Sequence, residues 1–408
     1  MFKRGCYSFL LLAWFLAGAI HAEEPGDVMM PMSAEGSSSA DASVLAGASS
    51  GNGGIDRTDP NFVKASLLVF DPSDVLFSSV GHACLRMECP AFGLDFCFSY
   101  ESEGVKDKVL TFFAGKLKMG MFAIPTREFL AEYEKEHRGV RQYKLNLPPE
   151  AKQRLWKNLD EMEAEGANLP YDYGERGCAW SVLKCIGASV APLELHADLP
   201  EIYAQTRRER IAAKAREFPW NLFFIDAIIG TAADRDLPDI EKTVIPDDLL
   251  LFLQTARIDG VPMITDDPVV LLPSGERDNG WRVTPAMAAY ALLVLALVNL
   301  MIRKPWIDWA YLALQSAIGL FLTYMVCFSS LPGTDWNWLI VPFNLLPLIF
   351  WKWRKRWALA FAMVLAVWGM AMLLHPHRLT DQAYIVMAWA YVVFYLKHAD
   401  RSHIFKGR

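Results

Sequence analysis

The chain has 408 residues, a formal net charge of −6 and a hydrophobic content of 53%. Its length holds two or three domains, and its acid excess, with no basic stripe interleaved with aromatics, argues against a nucleic-acid partner. The apolar excess is too large for an ordinary soluble protein and lies in the last third of the chain.

The N-terminus reads as a secretory signal over residues 1–22. Lys3 and Arg4 form its charged region, Phe9 to Ile20 its apolar core, and Ala22 precedes the cleavage point. An uncleaved signal anchor is the alternative. Residues 23–60 are rich in Gly, Ser and Ala and poor in large apolar groups, so they are expected to form a flexible linker.

Residues 61–275 read as an exported α+β domain. Ala65 to Phe70 is a buried-strand run. Val75–Met87 and Leu94–Tyr100 flank the turn-rich stretch Glu88 to Gly93 and suggest a hairpin. A helix is expected over Thr126–Glu136, a strand over Val140–Leu147, and a second helix from Pro149 to about Glu165 with Leu155, Leu159 and Met162 on its apolar face. Cys178 opens a third helix running to Val190, and further helices are expected at about 200–215 and 247–256.

Two segments in this domain carry chemistry. Ser79-Val80-Gly81-His82-Ala83-Cys84-Leu85-Arg86 presents a histidine on a strand. Tyr171-Asp172-Tyr173-Gly174-Glu175-Arg176-Gly177-Cys178 delivers a cysteine to the first turn of a helix, where the positive helix end should lower its pKa and free N–H groups could hold an oxyanion. Gly177 would supply unusual backbone angles before that helix. Centring the hairpin near Pro90-Ala91 pairs His82 with Ser99, Cys84 with Cys97, and Arg86 with Asp95, the last an opposite-charge match. Ala83, Leu85 and Met87 then share the other face with Phe96 and Phe98. A slip of one residue would put Tyr100 or Phe98 beside His82 instead of Ser99. Cys178, His82 and Ser99 are therefore the candidate catalytic residues. Arg86, Tyr171 and Tyr100 are candidate substrate contacts, although Arg86 could equally tie the hairpin through Asp95. Taken alone, a histidine beside small residues or a cysteine at a helix start is structural at least as often as catalytic.

The seven cysteines follow no metal spacing, so neither a structural zinc nor any other metal or cofactor is expected. Cys185, in mid-helix, reads as a core residue. Cys84, Cys89 and Cys97 lie close enough in sequence that an exported domain could oxidise some of them.

Residues 276–408 carry five apolar runs, Thr284–Ile302, Trp306–Phe328, Trp338–Trp351, Trp357–Leu374 and Ala383–Leu396, and are expected to form an all-α transmembrane bundle of about five helices. Pro342 and Pro347 should kink the third, in which Asn344 needs a polar partner. Arg303 and Lys304, Lys352 to Arg356, and Lys397 to Arg408 follow the odd runs, whereas the alternate loops carry only Arg378. The positive-inside rule places the C-terminus in the cytoplasm and the domain before Thr284 outside. His375-Pro376-His377 in one outer loop could meet a metal or a headgroup, or be ordinary polar loop residues. His137 and His196 read as surface or structural.

The stretch from Val75 to about Ala188 resembles the N-terminal periplasmic domain of the bacterial lipoprotein N-acyltransferase Lnb. The matching pieces are Phe77-Ser78-Ser79-Val80-Gly81-His82 with Leu85-Arg86, Phe98-Ser99-Tyr100, Phe112 to Leu117, Tyr133 to Val140, and Tyr171-Asp172-Tyr173 leading to Cys178; weaker likeness continues to about Leu272. The family often has Asn-Asn-Cys where this chain has Arg176-Gly177-Cys178. The resemblance implies a permuted papain-like fold related to NlpC-type hydrolases and lecithin:retinol acyltransferase. It also implies an acyl-thioester mechanism, in which Cys178 takes an acyl chain from the glyceryl lipid of a lipoprotein and passes it to the N-terminal amine. Membrane lipids and lipoproteins are then the partners. An NlpC-type cysteine amidase or peptidase, and a non-catalytic membrane scaffold, are the competing readings.

Overall fold

The computed structural model describes residues 57–102, 109–166, 168–171, 177–190, 195–197, 205–235, 243, 245–275, 282–379 and 381–399. The expected signal, most of the linker and the segment Asp172–Arg176 lie outside these residues. The chain divides into two compact units. Among the described residues, one comprises those within 57–211 and 243–275; the other comprises those within 212–235 and 282–399.

In the first unit the chain runs through β1 (Lys64–Phe70), β2 (His82–Cys89), β3 (Leu94–Ser102), α1 (Val109–Phe113), β4 (Lys118–Pro125), α2 (Thr126–Lys135), β5 (Val140–Lys144), α3 (Pro149–Glu165), β6 (Leu169–Pro170), α4 (Cys178–Val190) and β7 (Leu195–Ala197). It then passes through α5 (Arg207–Ala215) and α6 (Pro219–Ile228), and returns with α7 (Pro246–Thr255), β8 (Ala256–Ile258), β9 (Val261–Pro262) and β10 (Val269–Leu272). Seven strands form an antiparallel sheet in the order β10-β5-β1-β2-β3-β4-β6, and β7-β8-β9 form a second, small sheet. The mixed α and β character expected from the sequence is present.

Strand alternation places a core on each face of the large sheet. Ala83, Leu85, Met87 and Phe98 point to the larger core, which α3, α4 and α7 cover. Leu68, Phe70, Cys84 and Cys97 point to a smaller core closed by Phe129 and Tyr133 of α2. Helix α3 starts on Pro149, whose missing N–H costs nothing at a first turn, and buries Ala151, Leu155 and Leu159 at four-residue spacing. Helix α4 does the same with Ala179, Val182, Leu183, Ile186 and Val190, and Cys185 joins them in the core. Arg210 and Asp248, both buried, are ion-paired, and Asp248 also accepts from the Ile245 N–H at 3.2 Å to cap α7.

The second unit is helical. It contains α8 (Pro285–Ile302), α9 (Pro305–Cys327), α10 (Leu346–Ile349), α11 (Arg354–Leu374) and α12 (Ala383–His398). Among the described residues three helical stretches, 285–302, 305–327 and 351–374, are long and apolar enough to cross a membrane. The other two of the five expected runs do not form helices of that length among the described residues. The fifth run forms the 16-residue α12, and the third is not one helix. Pro342 and Pro347 withhold N–H groups there, and the chain takes a turn at Trp338–Ile340, then the four-residue α10, then a turn at Trp351–Trp353.

Backbone carbonyls in this broken stretch accept from side-chain donors, which suits an apolar surrounding. Gln315 Nε2 donates to the Pro342 carbonyl at 2.6 Å, Trp368 Nε1 to that of Trp338 at 3.0 Å, and Trp357 Nε1 to that of Phe350 at 3.0 Å. Asn344 serves its own neighbourhood, donating to the Val341 carbonyl at 2.9 Å and accepting from the Leu346 N–H at 3.1 Å. Gly319 permits the close approach of this segment, because a Cβ there would lie 2.7 Å from Asn344 Cα.

Residues 212–235, which fall inside the 61–275 range read from the sequence, pack in the helical unit. Phe223 of α6 stacks on Tyr384 with centroids 4.2 Å apart, Asn337 Nδ2 donates to the Asp226 carbonyl at 2.7 Å, and Asp226 Oδ2 accepts from the Asp381 N–H at 2.8 Å. This segment therefore caps the bundle end that carries the loops 328–337 and 375–382. At the other end Lys397 Nζ lies 2.7 Å from Asp308, which also accepts from Asn299 at 2.8 Å.

Candidate active site

The site begins with a turn that only glycine tolerates. Gly81 has φ +86°, and a Cβ on it would sit 2.7 Å from the Phe70 carbonyl oxygen. Its N–H closes the turn on the Ser78 carbonyl at 3.0 Å, so that β2 starts at His82 at the end of the sheet. The sequence reading gave this role to Gly177. Among the described residues the glycine in the left-handed region here is the one that precedes the histidine.

The hairpin pairs Leu85 with Phe98, Arg86 with Cys97, Met87 with Phe96 and Glu88 with Asp95. That register differs by two residues from the expected one, because the turn is tighter and centres one position later, closed by Gly93 at φ +65°. A two-residue shift leaves every side chain on its expected face. The contacts accordingly survive as diagonals. His82 Nε2 lies 2.7 Å from Ser99 Oγ, and Arg86 holds Asp95 through two bonds of 2.8 and 2.7 Å.

Behind Ser99 stands a residue that the sequence reading missed. Ser99 Oγ donates to Glu101 Oε1 at 2.7 Å, and Glu101 Oε1 lies 3.8 Å from His82 Nε2. Strand periodicity held the signal, since Glu101 is two residues from Ser99 and shares its face. The His82 and Glu101 side chains are only 16% and 17% exposed. Burial, and then the positive charge of Arg138, pull the imidazole down to about 3, so His82 is neutral near pH 7. Burial pushes the Glu101 carboxyl above the usual carboxylate range; the Ser99 bond opposes the rise and the Glu132 charge adds to it.

Cys178 is the first residue of α4, partly exposed and not in a disulfide. Its sulfur is approached by the backbone N–H groups of Ala83, Ala179 and Cys178 itself. Ala83 follows His82, so the cysteine helix meets the histidine strand at the residue next to the imidazole. No hydrogen bond joins His82 to Cys178 among the described residues. The expected lowering of the thiol pKa is not found. Desolvation pushes it up, those three N–H groups pull against the rise, and the Glu101 charge reinforces it. The resting pair is therefore a neutral thiol beside a neutral imidazole.

The three candidate contact residues fare differently. Arg86 spends its guanidinium inside the sheet, on Asp95, on Gln142 Oε1 at 2.7 Å and on Glu88 at 3.3 Å; this is the hairpin tie, not an open cation. Tyr171 is partly buried, with its ring 5.7 Å from that of Phe112 and its N–H on the Leu117 carbonyl at 2.8 Å. Tyr100 points to the larger core, on the face opposite Ser99, and lines a cleft of about 230 Å³ with Met119, Met121 and Met162. Cys84, Cys89 and Cys97 are buried free thiols. The rings of His375 and His377 lie 5.8 Å apart, and no group of three or more metal-ligating side chains occurs among the described residues.

Comparison with known proteins agrees with the motif reading. Residues 55–209 match the family described as the Lnb N-terminal periplasmic domain, a span that contains His82, Ser99, Glu101 and Cys178. No curated protein and no solved structure matches the chain. With its membrane-compatible helices, the chain is thus a membrane protein bearing an Lnb-type domain.

Proposed function

We propose that this protein is a membrane-anchored thiol acyltransferase that moves an acyl chain from the glyceryl group of a lipid or lipoprotein, through a thioester on Cys178, to the N-terminal amine of a lipoprotein. The observation that carries the reading is the convergence of Cys178 on the strand residue beside a histidine whose Nε2 is already engaged by Ser99. That leaves Nδ1 as the nitrogen for proton transfer.

In the acylation half, Nδ1 of His82 takes the thiol proton as sulfur attacks the ester carbonyl. The C–S bond forms, the C–O bond breaks, and the glyceryl oxygen leaves with the proton from His82. In the second half His82 takes a proton from the attacking amine. The C–N bond forms, the C–S bond breaks, and the thiol is restored with that proton. Because the resting thiol is neutral, the reaction depends on this general base, a contribution of about 10²–10⁴ in rate. The N–H groups of Ala83, Cys178 and Ala179 are the donors on hand for the oxyanion. The cleft beside Tyr100, lined by Met119, Met121 and Met162 together with Glu165 and Asn168, is a volume on offer for part of the acyl chain.

The same reading places residues 61–275, apart from the segment packed with the bundle, outside the membrane. It puts the loops carrying Arg303, Lys304 and Lys352–Arg356 on the cytoplasmic side of an inner membrane. A cysteine amidase acting on wall peptides would use the same thiol and histidine. The membrane helices favour a membrane-borne substrate. Incubating the full chain in detergent with a diacylated lipoprotein and weighing the Cys178 peptide separates the two. An added acyl chain supports the transferase, whereas no adduct here together with cleavage of wall peptide in a parallel incubation supports the amidase.

A further inference from the structure

We propose that Glu101, acting through the Ser99 hydroxyl, is a positioning residue that holds His82 in the tautomer able to accept the Cys178 proton. This rests on the roles proposed above for His82 and Cys178. Ser99 Oγ lies 2.7 Å from His82 Nε2 and 2.7 Å from Glu101 Oε1, and a serine hydroxyl has one hydrogen to give. An ionised carboxylate only accepts, so the hydroxyl hydrogen goes to Glu101. Nε2 must then carry the imidazole hydrogen and donate it to the Ser99 lone pair, which leaves Nδ1 bare. The 3.8 Å between Nε2 and Glu101 is too long for a direct bond, so the orientation passes through the serine.

When the thiol proton arrives on Nδ1, the imidazolium has its second N–H already donated toward a carboxylate, and no group has to turn. If Glu101 is protonated, the chain can run backwards. Glu101 then donates to Ser99, Ser99 donates to Nε2, and the hydrogen moves to Nδ1, which can no longer act as base. Glu101 is faced by Ser99 on its own strand, by His82 and Cys84 from β2, by Glu132 and Tyr133 from α2, and by Cys178 from α4, while Arg138 acts on His82 and Tyr133. Burial and Glu132 favour its protonation, so loss of activity on acidification is set by Glu101, above the range where His82 itself titrates.

The test uses the full chain in detergent with ¹⁵N-labelled histidine, the His82 signals being assigned by their loss in His82→Ala. The expected result at neutral pH is a protonated Nε2 and a bare Nδ1, with the Nδ1–H form gaining in Glu101→Ala. Acylation of Cys178 should slow on the order of 100-fold in Glu101→Ala. Glu101→Gln still accepts from Ser99 but cannot titrate; it should lose less than about tenfold and flatten the acid limb of the Cys178 rate. An Nδ1–H tautomer in the parent, or an acid limb unchanged in Glu101→Gln, overturns the proposal. The outcomes keep the two readings apart. The expected tautomer without any acyl adduct sinks the acyl-transfer reading and leaves the tautomer assignment standing; an adduct with the opposite tautomer does the reverse.

Discussion

His82 and Ser99 touch side chain to side chain although they are not opposite one another in the sheet. Continuing the register that pairs Leu85 with Phe98 would set Glu101, not Ser99, across from His82. The 2.7 Å bond to Ser99 is therefore a diagonal, and the residue directly opposite is the carboxylate that Ser99 in turn addresses. One strand pair thus supplies a three-member polar chain at the end of the sheet.

The turn before His82 should be intolerant of any side chain. Gly81→Ala meets both an unfavourable positive φ and the Phe70 carbonyl at 2.7 Å. The expected cost is about 1–3 kcal/mol, with loss of Cys178 acylation from displacement of His82.

Stability should depend on pH through His82. Its folded pKa of about 3 lies below the ordinary 6.5, so between those values the unfolded chain binds a proton that the folded chain refuses. The contribution of neutral His82 is whole above 6.5 and is lost as pH falls toward 3. Chemical denaturation of the parent and of His82→Gln across that window should show the parent losing stability faster on acidification. Parallel curves would contradict the assignment.

The buried Arg210–Asp248 pair should be costly to break from one side. Arg210→Ala takes the guanidinium from a buried carboxylate, and a loss of about 3–5 kcal/mol is expected. Thermal unfolding compared with the double variant Arg210→Met, Asp248→Leu should show the double variant as the more stable of the two.

In the helical unit, Gln315→Leu removes the donor to the Pro342 carbonyl and the acceptor of the Tyr395 hydroxyl. The loss should be about 1–3 kcal/mol for each buried group left unpaired, read as a lower melting temperature in detergent.

Much of the site was legible because strand faces follow from alternation alone. His82, Ser99, Arg86 and Asp95 came together despite a register error of two residues, since an even slip preserves faces. Glu101 follows from the same alternation, two residues beyond Ser99 on its face, but a histidine needs only one partner for a plausible site, so alternation alone does not single it out. The thiol pKa was misjudged for a different reason. A helix start is visible in sequence, whereas the desolvation that outweighs it is a property of the packed site. The broken third run shows the same limit. Pro342 and Pro347 announced an interruption, but its extent depended on Gln315, Trp357 and Trp368, whose reach to the freed carbonyls no local pattern records. The place of residues 212–235 was also hidden, because α6 is a ten-residue apolar helix that could have served either unit.

The most direct test of the central claim is the mass of the Cys178 peptide after the full chain, in detergent, meets a diacylated lipoprotein, with Cys178→Ala and His82→Ala run beside it. The account predicts one added acyl chain, released by hydroxylamine as a thioester is, absent from Cys178→Ala and formed about 10²–10⁴ times more slowly in His82→Ala. No adduct on a parent protein whose Cys178 still reacts with a thiol probe would contradict it.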